Sequence, residues 1–175
     1  PRRPSKIVVA PPPDAVAVTD ADPEPDVLES SDLLETMEPV EAPEPVGAGA
    51  DRVAQAEVEF IASVTALPVG ASVVDVGCGE GRHANAFSER GHRTVGLDAS
   101  EAQLRLATDV HGPSVPKLRW VCQDVRDRGL GEQFDLVTCL GTTLGIYDET
   151  QNRAVLQALR DLCAPSGRVV LHVSN

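Results

Sequence analysis

Residues 73–81 read Val-Val-Asp-Val-Gly-Cys-Gly-Glu-Gly, an apolar strand that passes through an aspartate into three glycines at alternate positions. Glycine lacks a Cβ, so this spacing lets the backbone turn sharply off a strand and lie directly against a ligand. The dinucleotide pattern Gly-x-Gly-x-x-Gly puts its third glycine on the first turn of the next helix, where a pyrophosphate meets the helix N-terminus. Here that position is Arg82 and the glycine comes one place earlier, at Gly81. Asp75, two residues before the first glycine, is also foreign to the pyrophosphate pattern. Both departures point away from a nicotinamide or flavin and toward another adenosine-bearing cofactor. The alternative is a structural turn with no ligand, and the downstream residues decide between the two.

Strands and helices alternate after residue 50. Asp51 to Leu67 places Phe60, Ile61, Val64 and Leu67 on one helical stripe, with Asp51 positioned to cap and Pro68-Val69-Gly70 ending it. Val73 to Val76 is an unbroken apolar run, the kind buried on both faces of a parallel sheet. A helix through Ala84, Ala86 and Phe87 closes at Gly91. Thr94 to Leu97 is a second strand ending at Asp98, and Ser100 caps a helix carrying Leu104 and Leu106. Leu118 to Cys122 is a third strand ending near Asp124, Phe134 to Leu140 a fourth, Glu149 to Leu162 a helix, and Arg168 to Val173 a fifth strand. This order specifies an α/β domain over 51–175 with a doubly wound parallel sheet.

Composition divides the chain at the same place. Residues 1–50 carry 11 acidic against 3 basic residues, a net of −8, and 10 of the 14 prolines, while all five aromatics lie beyond residue 50. Such a segment buries too little apolar surface to offset its chain entropy, so it reads as a disordered acidic, proline-rich linker. Within it, residues 27–38 hold a capping serine and a small apolar cluster that could dock on a protein partner. Ile7-Val8-Val9-Ala10 is too short for a signal peptide's apolar core, and no run approaches the ~20 apolar residues that span a bilayer. The acidic balance argues against a nucleic-acid surface, which needs clustered Lys and Arg. Cys78, Cys122, Cys139 and Cys163 are too far apart for a zinc or disulfide framework and suit a reducing cytoplasm.

The stretch Val73 to Gly81 resembles the first motif of the class I S-adenosylmethionine-dependent methyltransferases, hydrophobic-hydrophobic-Asp/Glu-hydrophobic-Gly-x-Gly-x-Gly, at every position. The resemblance implies a Rossmann-like sheet, S-adenosylmethionine as cofactor and methyl transfer to an acceptor, a small molecule by the look of Gly81-Arg82-His83-Ala84 and Arg90-Gly91-His92-Arg93. It implies that Asp75, Gly77, Cys78, Gly79, Gly81, Asp98, Ala99, Asp124, Val125, Leu140 and Gly141 hold the cofactor. Asp75 would lie close to its amino group, Asp98 would accept from both ribose hydroxyls, and Asp124 with the Val125 N–H would meet the adenine. The loop after the fourth strand would line the methionine end. Ala164-Pro165-Ser166-Gly167 resembles the family's turn into strand five, with Ser166 in place of a glycine.

A sulfonium methyl is already activated, so the protein has mainly to align and desolvate the reactants, and no nucleophile or metal signature is expected. Where the acceptor is a hydroxyl, His83, Tyr147 and His172, with Asp148, are the visible candidates for a base. The alternative function is a non-catalytic cofactor-binding scaffold that uses the acidic linker for interaction. Relative to the family the domain stops after strand five, which would leave that strand an exposed apolar edge. The expectation is therefore an excerpt of a longer protein.

Overall fold

The computed structural model describes residues 6–10, 38–41, 49–127, 130–141 and 143–173. They form β1 (Lys6–Ala10), β2 (Glu38–Glu41), α1 (Ala50–Val64), β3 (Ser72–Val76), α2 (Arg82–Glu89), β4 (Arg93–Asp98), α3 (Glu101–His111) and β5 (Leu118–Cys122). A 3-10 turn at Val125–Asp127, β6 (Phe134–Cys139), α4 (Glu149–Leu162) and β7 (Cys163–Val173) follow. The strands make one sheet in the order β2-β1-β7-β6-β3-β4-β5. β7, β6, β3, β4 and β5 are parallel, the doubly wound arrangement that the alternation of elements predicts. The chain winds from β3 out to β4 and β5 and then returns to β6 on the other side, so strand order reverses between β3 and β6.

Side chains alternate across the sheet and build a core on each face. Val74 and Val76 of β3, Val137 and Cys139 of β6 and Leu171 of β7 pack against Val155, Leu156 and Leu159 of α4. Val73, Leu136 and Val170, their neighbours in sequence, face the other way onto Val58 and Ile61 of α1 and Ala86 and Phe87 of α2. Helices on both faces bury the central strands except at Ser72 and Asp135, which are half-buried, and leave strand ends and loops for a ligand.

Several expectations change in detail. The buried line of α1 is Ala54, Val58 and Ile61, and Val64 is 40% exposed, because the helix ends there and does not reach Leu67. Its N-cap is Gly49, and Asp51 sits in the first turn, paired with Arg82 at 3.4 Å. Leu106 is exposed on α3, leaving Leu104 and Ala107 inward. The turn expected at Ala164–Gly167 belongs to β7: between the pairs Phe134↔Cys163 and Leu136↔Arg168, β6 advances two residues and β7 five. The extra residues bulge out of the ladder.

The largest difference concerns residues 6–10 and 38–41, read as linker, and the edge expected to be bare. β1 lies antiparallel on β7, from Lys6↔Val173 to Ala10↔Val169, and β2 lies antiparallel on β1. An uncovered β7 would leave a row of N–H and C=O groups unpaired. Ile7-Val8-Val9 is a β-branched run free of proline and so suited to supplying a ladder. Composition averaged over fifty residues conceals so short a strand. The segment 27–38, read as a partner-binding element, lies outside the described residues except for Glu38. Among the described residues no helix is long and apolar enough to cross a membrane.

Candidate functional site

Where strand order reverses, the loops leaving β3 and β6 diverge and open a cleft at the carboxyl ends of the strands. Its volume is about 710 Å³. Asp75, Gly77, Cys78, Gly79, Asp98, Ala99, Asp124, Val125, Leu140 and Gly141 all border it, as do His83 and Tyr147. Gly81 and His172 do not.

The glycine turn crosses from β3 onto the end of β4, with the Gly77 and Cys78 N–H groups both donating to the Leu97 carbonyl (2.8 and 3.1 Å). Gly77 takes φ 70°, and a Cβ there would overlap the Thr143 hydroxyl. The turn from β3 and the loop from β6 are thus in contact where the cleft begins. Gly81 has φ 79° as the N-cap of α2, but its missing Cβ makes room for Trp120, whose indole also packs over Gly96. Gly81 was expected at the cofactor; it is not among the residues bordering the cleft, and the space its missing Cβ leaves is filled by the Trp120 ring. Its glycine is required by backbone conformation and packing.

Asp75 is 2% exposed at the inner end of the cleft. Thr138 Oγ1 donates to its Oδ1 at 2.9 Å, while Oδ2 is buried without a partner. Burial pushes this carboxyl above the ordinary carboxylate value, opposed by the charge of His83, the Thr138 hydrogen bond and the nearby Ala84 backbone N–H. A buried carboxylate oxygen lacking a donor costs stability, and a cationic ligand group would satisfy it.

Asp98 is held differently. Its Oδ2 accepts from the Gly79 N–H and its Oδ1 from the Ser100 N–H, each at 2.8 Å. A carboxylate offers about four lone-pair sites, so these bonds fix its orientation and leave one acceptor site on each oxygen. Capping of α3 is done by Ser100, whose hydroxyl accepts from the Gln103 N–H, so Asp98 is not needed for it.

Asp124 is the more committed of the two strand-end acids. Its Oδ1 accepts from the Arg126 backbone N–H and Nε (both 2.9 Å), and its Oδ2 from the same guanidinium at 2.6 Å. That pairing holds the Asp124 carboxyl below its ordinary value. The guanidinium in turn lies 4.4 Å from the centroid of the Tyr147 ring, joining the loops after β5 and β6 across the mouth of the cleft.

The four base candidates separate. His83 Nε2–H donates to Glu57 Oε2 at 2.7 Å. Burial disfavours its charged form, but the Glu57 hydrogen bond and the charges of Asp75 and Glu57 outweigh this and raise its pKa. Tyr147 borders the mouth. His172 donates from Nδ1 to the Leu140 carbonyl at 3.0 Å and ties β7 to the end of β6 outside the cleft. Asp148 caps α4 by accepting from the Gln151 N–H at 2.8 Å. The sequence reading missed Glu80, Arg82, Ser100, Gln103, Gln123, Thr143 and Ile146, which also border the cleft, and Glu57, which stands behind His83. All but Glu57 lie within a few residues of a motif that was read; nothing local marks Glu57.

A model of the methyltransferase domain matches residues 73–167. The chain belongs to this family. The methyltransferase domain is 33% identical over 108 residues to a dTDP-4-amino-2,3,4,6-tetradeoxy-D-glucose N,N-dimethyltransferase of Saccharopolyspora spinosa, covering 61% of this chain and 42% of that protein. It is 34% identical over 110 residues to a ubiquinone biosynthesis O-methyltransferase of Pseudomonas fluorescens, covering 61% and 45%. The chain thus spans less than half the length of these two curated relatives. Among solved structures it resembles an amino pentose methyltransferase of Micromonospora echinaspora bound to SAM, at TM-score 0.59 and 29% identity over 74% of this chain and 58% of that one. A TehB-like SAM-dependent methyltransferase of Corynebacterium glutamicum gives TM-score 0.58 and 27% identity, covering 67% and 60%. The fold is that of the class I S-adenosylmethionine-dependent methyltransferases, as the motif at Val73 to Gly81 implies.

Proposed function

We propose that this methyltransferase domain binds S-adenosylmethionine in the cleft and directs its methyl group to a small-molecule acceptor. The observation that carries the reading is the convergence on one cleft of the glycine turn, the unsatisfied Asp75, and Asp98 with acceptor sites free. S-adenosylmethionine supplies the chemistry: as an acceptor lone pair bonds to the methyl carbon, the carbon–sulfur pair returns to sulfur and S-adenosylhomocysteine is left.

The residues hold and orient. Asp98 accepts the two ribose hydroxyls, and the Gly77, Cys78 and Gly79 backbone lies against the chain that joins ribose to sulfur. Asp124 and Val125 flank the adenine, and with three lone-pair sites of Asp124 already used by Arg126 its side chain adds little affinity. Ala99 packs beside the ribose, Asp75 takes the ammonium group, and Leu140 and Gly141 border the sulfur. Hydrogen bonding to Glu57 raises the pKa of His83 and engages its Nε2, and Tyr147 is a hydroxyl bordering the cleft that can steer an acceptor. Small-molecule acceptors are supported by the relatives, one named for an amino sugar and one for ubiquinone biosynthesis. Four unpaired cysteines suit a reducing cytoplasm.

The test is methyl transfer from methyl-labelled S-adenosylmethionine to a panel of amino sugars and phenols. The expected result is acceptor-dependent S-adenosylhomocysteine formation that Asp98→Ala strongly reduces at limiting S-adenosylmethionine. Turnover unchanged in Asp98→Ala, or none with any acceptor despite binding, would contradict the reading.

A further inference from the structure

Two acid–base contacts join α1 to α2 on the open surface, Asp51–Arg82 at 3.4 Å and Glu59–Arg90 at 3.0 Å, with the acids 69% and 72% exposed. A third, Glu57–His83 at 2.7 Å, is different: its two side chains are only 23% and 24% exposed, and His83 forms part of the cleft wall. Exposed pairs contribute little, whereas a half-buried, hydrogen-bonded pair defines the position and charge of both members. Arg82 is the other cation bordering the cleft, and its guanidinium is already engaged by Glu80 at 2.5 Å and by Asp51.

With Nε2 bonded to Glu57, Nδ1 is the ring donor left to a ligand. Asp75 borders the same cleft and is close enough for its charge to act on His83. A buried carboxyl group and a Glu57-bound imidazole bordering one cleft offer complementary partners to an ammonium and a carboxylate on one carbon.

We propose that Glu57 is a positioning residue that fixes His83 as the carboxylate receptor, so that Asp75 and His83 together recognise the α-amino-acid end of the ligand. This rests on the S-adenosylmethionine reading and deepens it, because α1, which precedes the whole motif, becomes part of the cofactor site. The groups that face His83 are Glu57 from α1, Asp75 from β3 and Arg82 from its own helix, with His172 of β7 acting on Glu57. The two acids prevail over Arg82. Carboxylate recognition therefore persists above the pH at which an ordinary histidine loses its proton, then fades as His83 deprotonates.

The experiment compares two probes, S-adenosylhomocysteine, which has the amino-acid end, and 5′-methylthioadenosine, which lacks it. In Glu57→Gln, affinity for S-adenosylhomocysteine at pH 8 should fall roughly tenfold, the loss of about one charge-assisted hydrogen bond. Affinity for 5′-methylthioadenosine should stay within about twofold, and Glu57→Asp should restore part of the loss. Without any ligand, the His83 ring resonances followed by NMR should titrate at lower pH in Glu57→Gln than in the parent. Equal weakening of both probes, weakening of neither, or an unmoved His83 titration would overturn the proposal. So would an Arg82→Gln variant that shows the full selective loss while Glu57→Gln shows none. A parent that binds neither probe fails the nucleoside reading itself, and the His83 titration still reports on the Glu57 link.

Discussion

The inner end of the cleft, over β3 and β6, is dry and short of partners, whereas the outer end, over β4 and β5, is wetter and its carboxylates are already held. Asp75 is buried with one oxygen unsatisfied. Asp98 and Asp124 have their oxygens anchored by backbone N–H groups and by Arg126. The difference separates two ways of preparing a site. The inner end stores an electrostatic deficit that a charged ligand group relieves, and the outer end is oriented in advance and adds directional hydrogen bonds.

The contrast breaks most sharply at the junction of the two ends. Gly77→Ala would force a Cβ into the Thr143 hydroxyl at a positive φ, so it should lower stability by about 3 kcal/mol and abolish binding. Thermal unfolding checks this, and adding Thr143→Ala should recover only part of the loss, since the backbone strain remains. Asp75→Asn should weaken S-adenosylhomocysteine by about 100-fold yet raise the melting temperature at neutral pH, because a desolvated charge is removed. A lowered melting temperature would show that Asp75 is a structural tie and not a deficit.

At the outer end, Asp98→Ala should weaken S-adenosylhomocysteine and 5′-methylthioadenosine alike, by roughly 30-fold, since both carry the ribose. Asp124→Ala should change either by less than about threefold, its carboxylate being committed to Arg126. Reversal of that order would move the ribose to β5.

The smallest effect is one of pH. Glu57 has its pKa lowered by the His83 hydrogen bond, so its contribution is present above about pH 4.5, its ordinary value. His83 has its pKa raised, so its contribution is full below about pH 6.5 and is lost as pH rises through the higher folded value. The stability difference between parent and Glu57→Gln should therefore be largest from about pH 4.5 to 6.5 and shrink by pH 9 in thermal melts.

The parallel sheet and its two-faced core were legible, and ten of the eleven residues expected at the cofactor border the cleft, because local signals specify their places: apolar runs, glycine spacing and acids at strand ends. The packing constraint on Gly81 comes from Trp120, 39 positions away in sequence, which no local pattern reveals. Glu57 was invisible for the same reason, being one of many helix-surface acids until α1 is laid against α2. The strand Lys6–Ala10 was hidden by the prolines and acids around it, and only the unpaired edge of β7 gives it a role. Long-range pairing thus accounts for most of what sequence patterns left unread.

The central claim, that the cleft is an adenosine site with an amino-acid receptor at its inner end, is tested most directly by calorimetric titration of S-adenosylhomocysteine into parent, Asp98→Ala and Asp75→Asn proteins. The account predicts saturable one-to-one binding in the parent and a strong loss in both variants, with 5′-methylthioadenosine losing affinity only in Asp98→Ala. No binding by the parent, or binding indifferent to both substitutions, would contradict it.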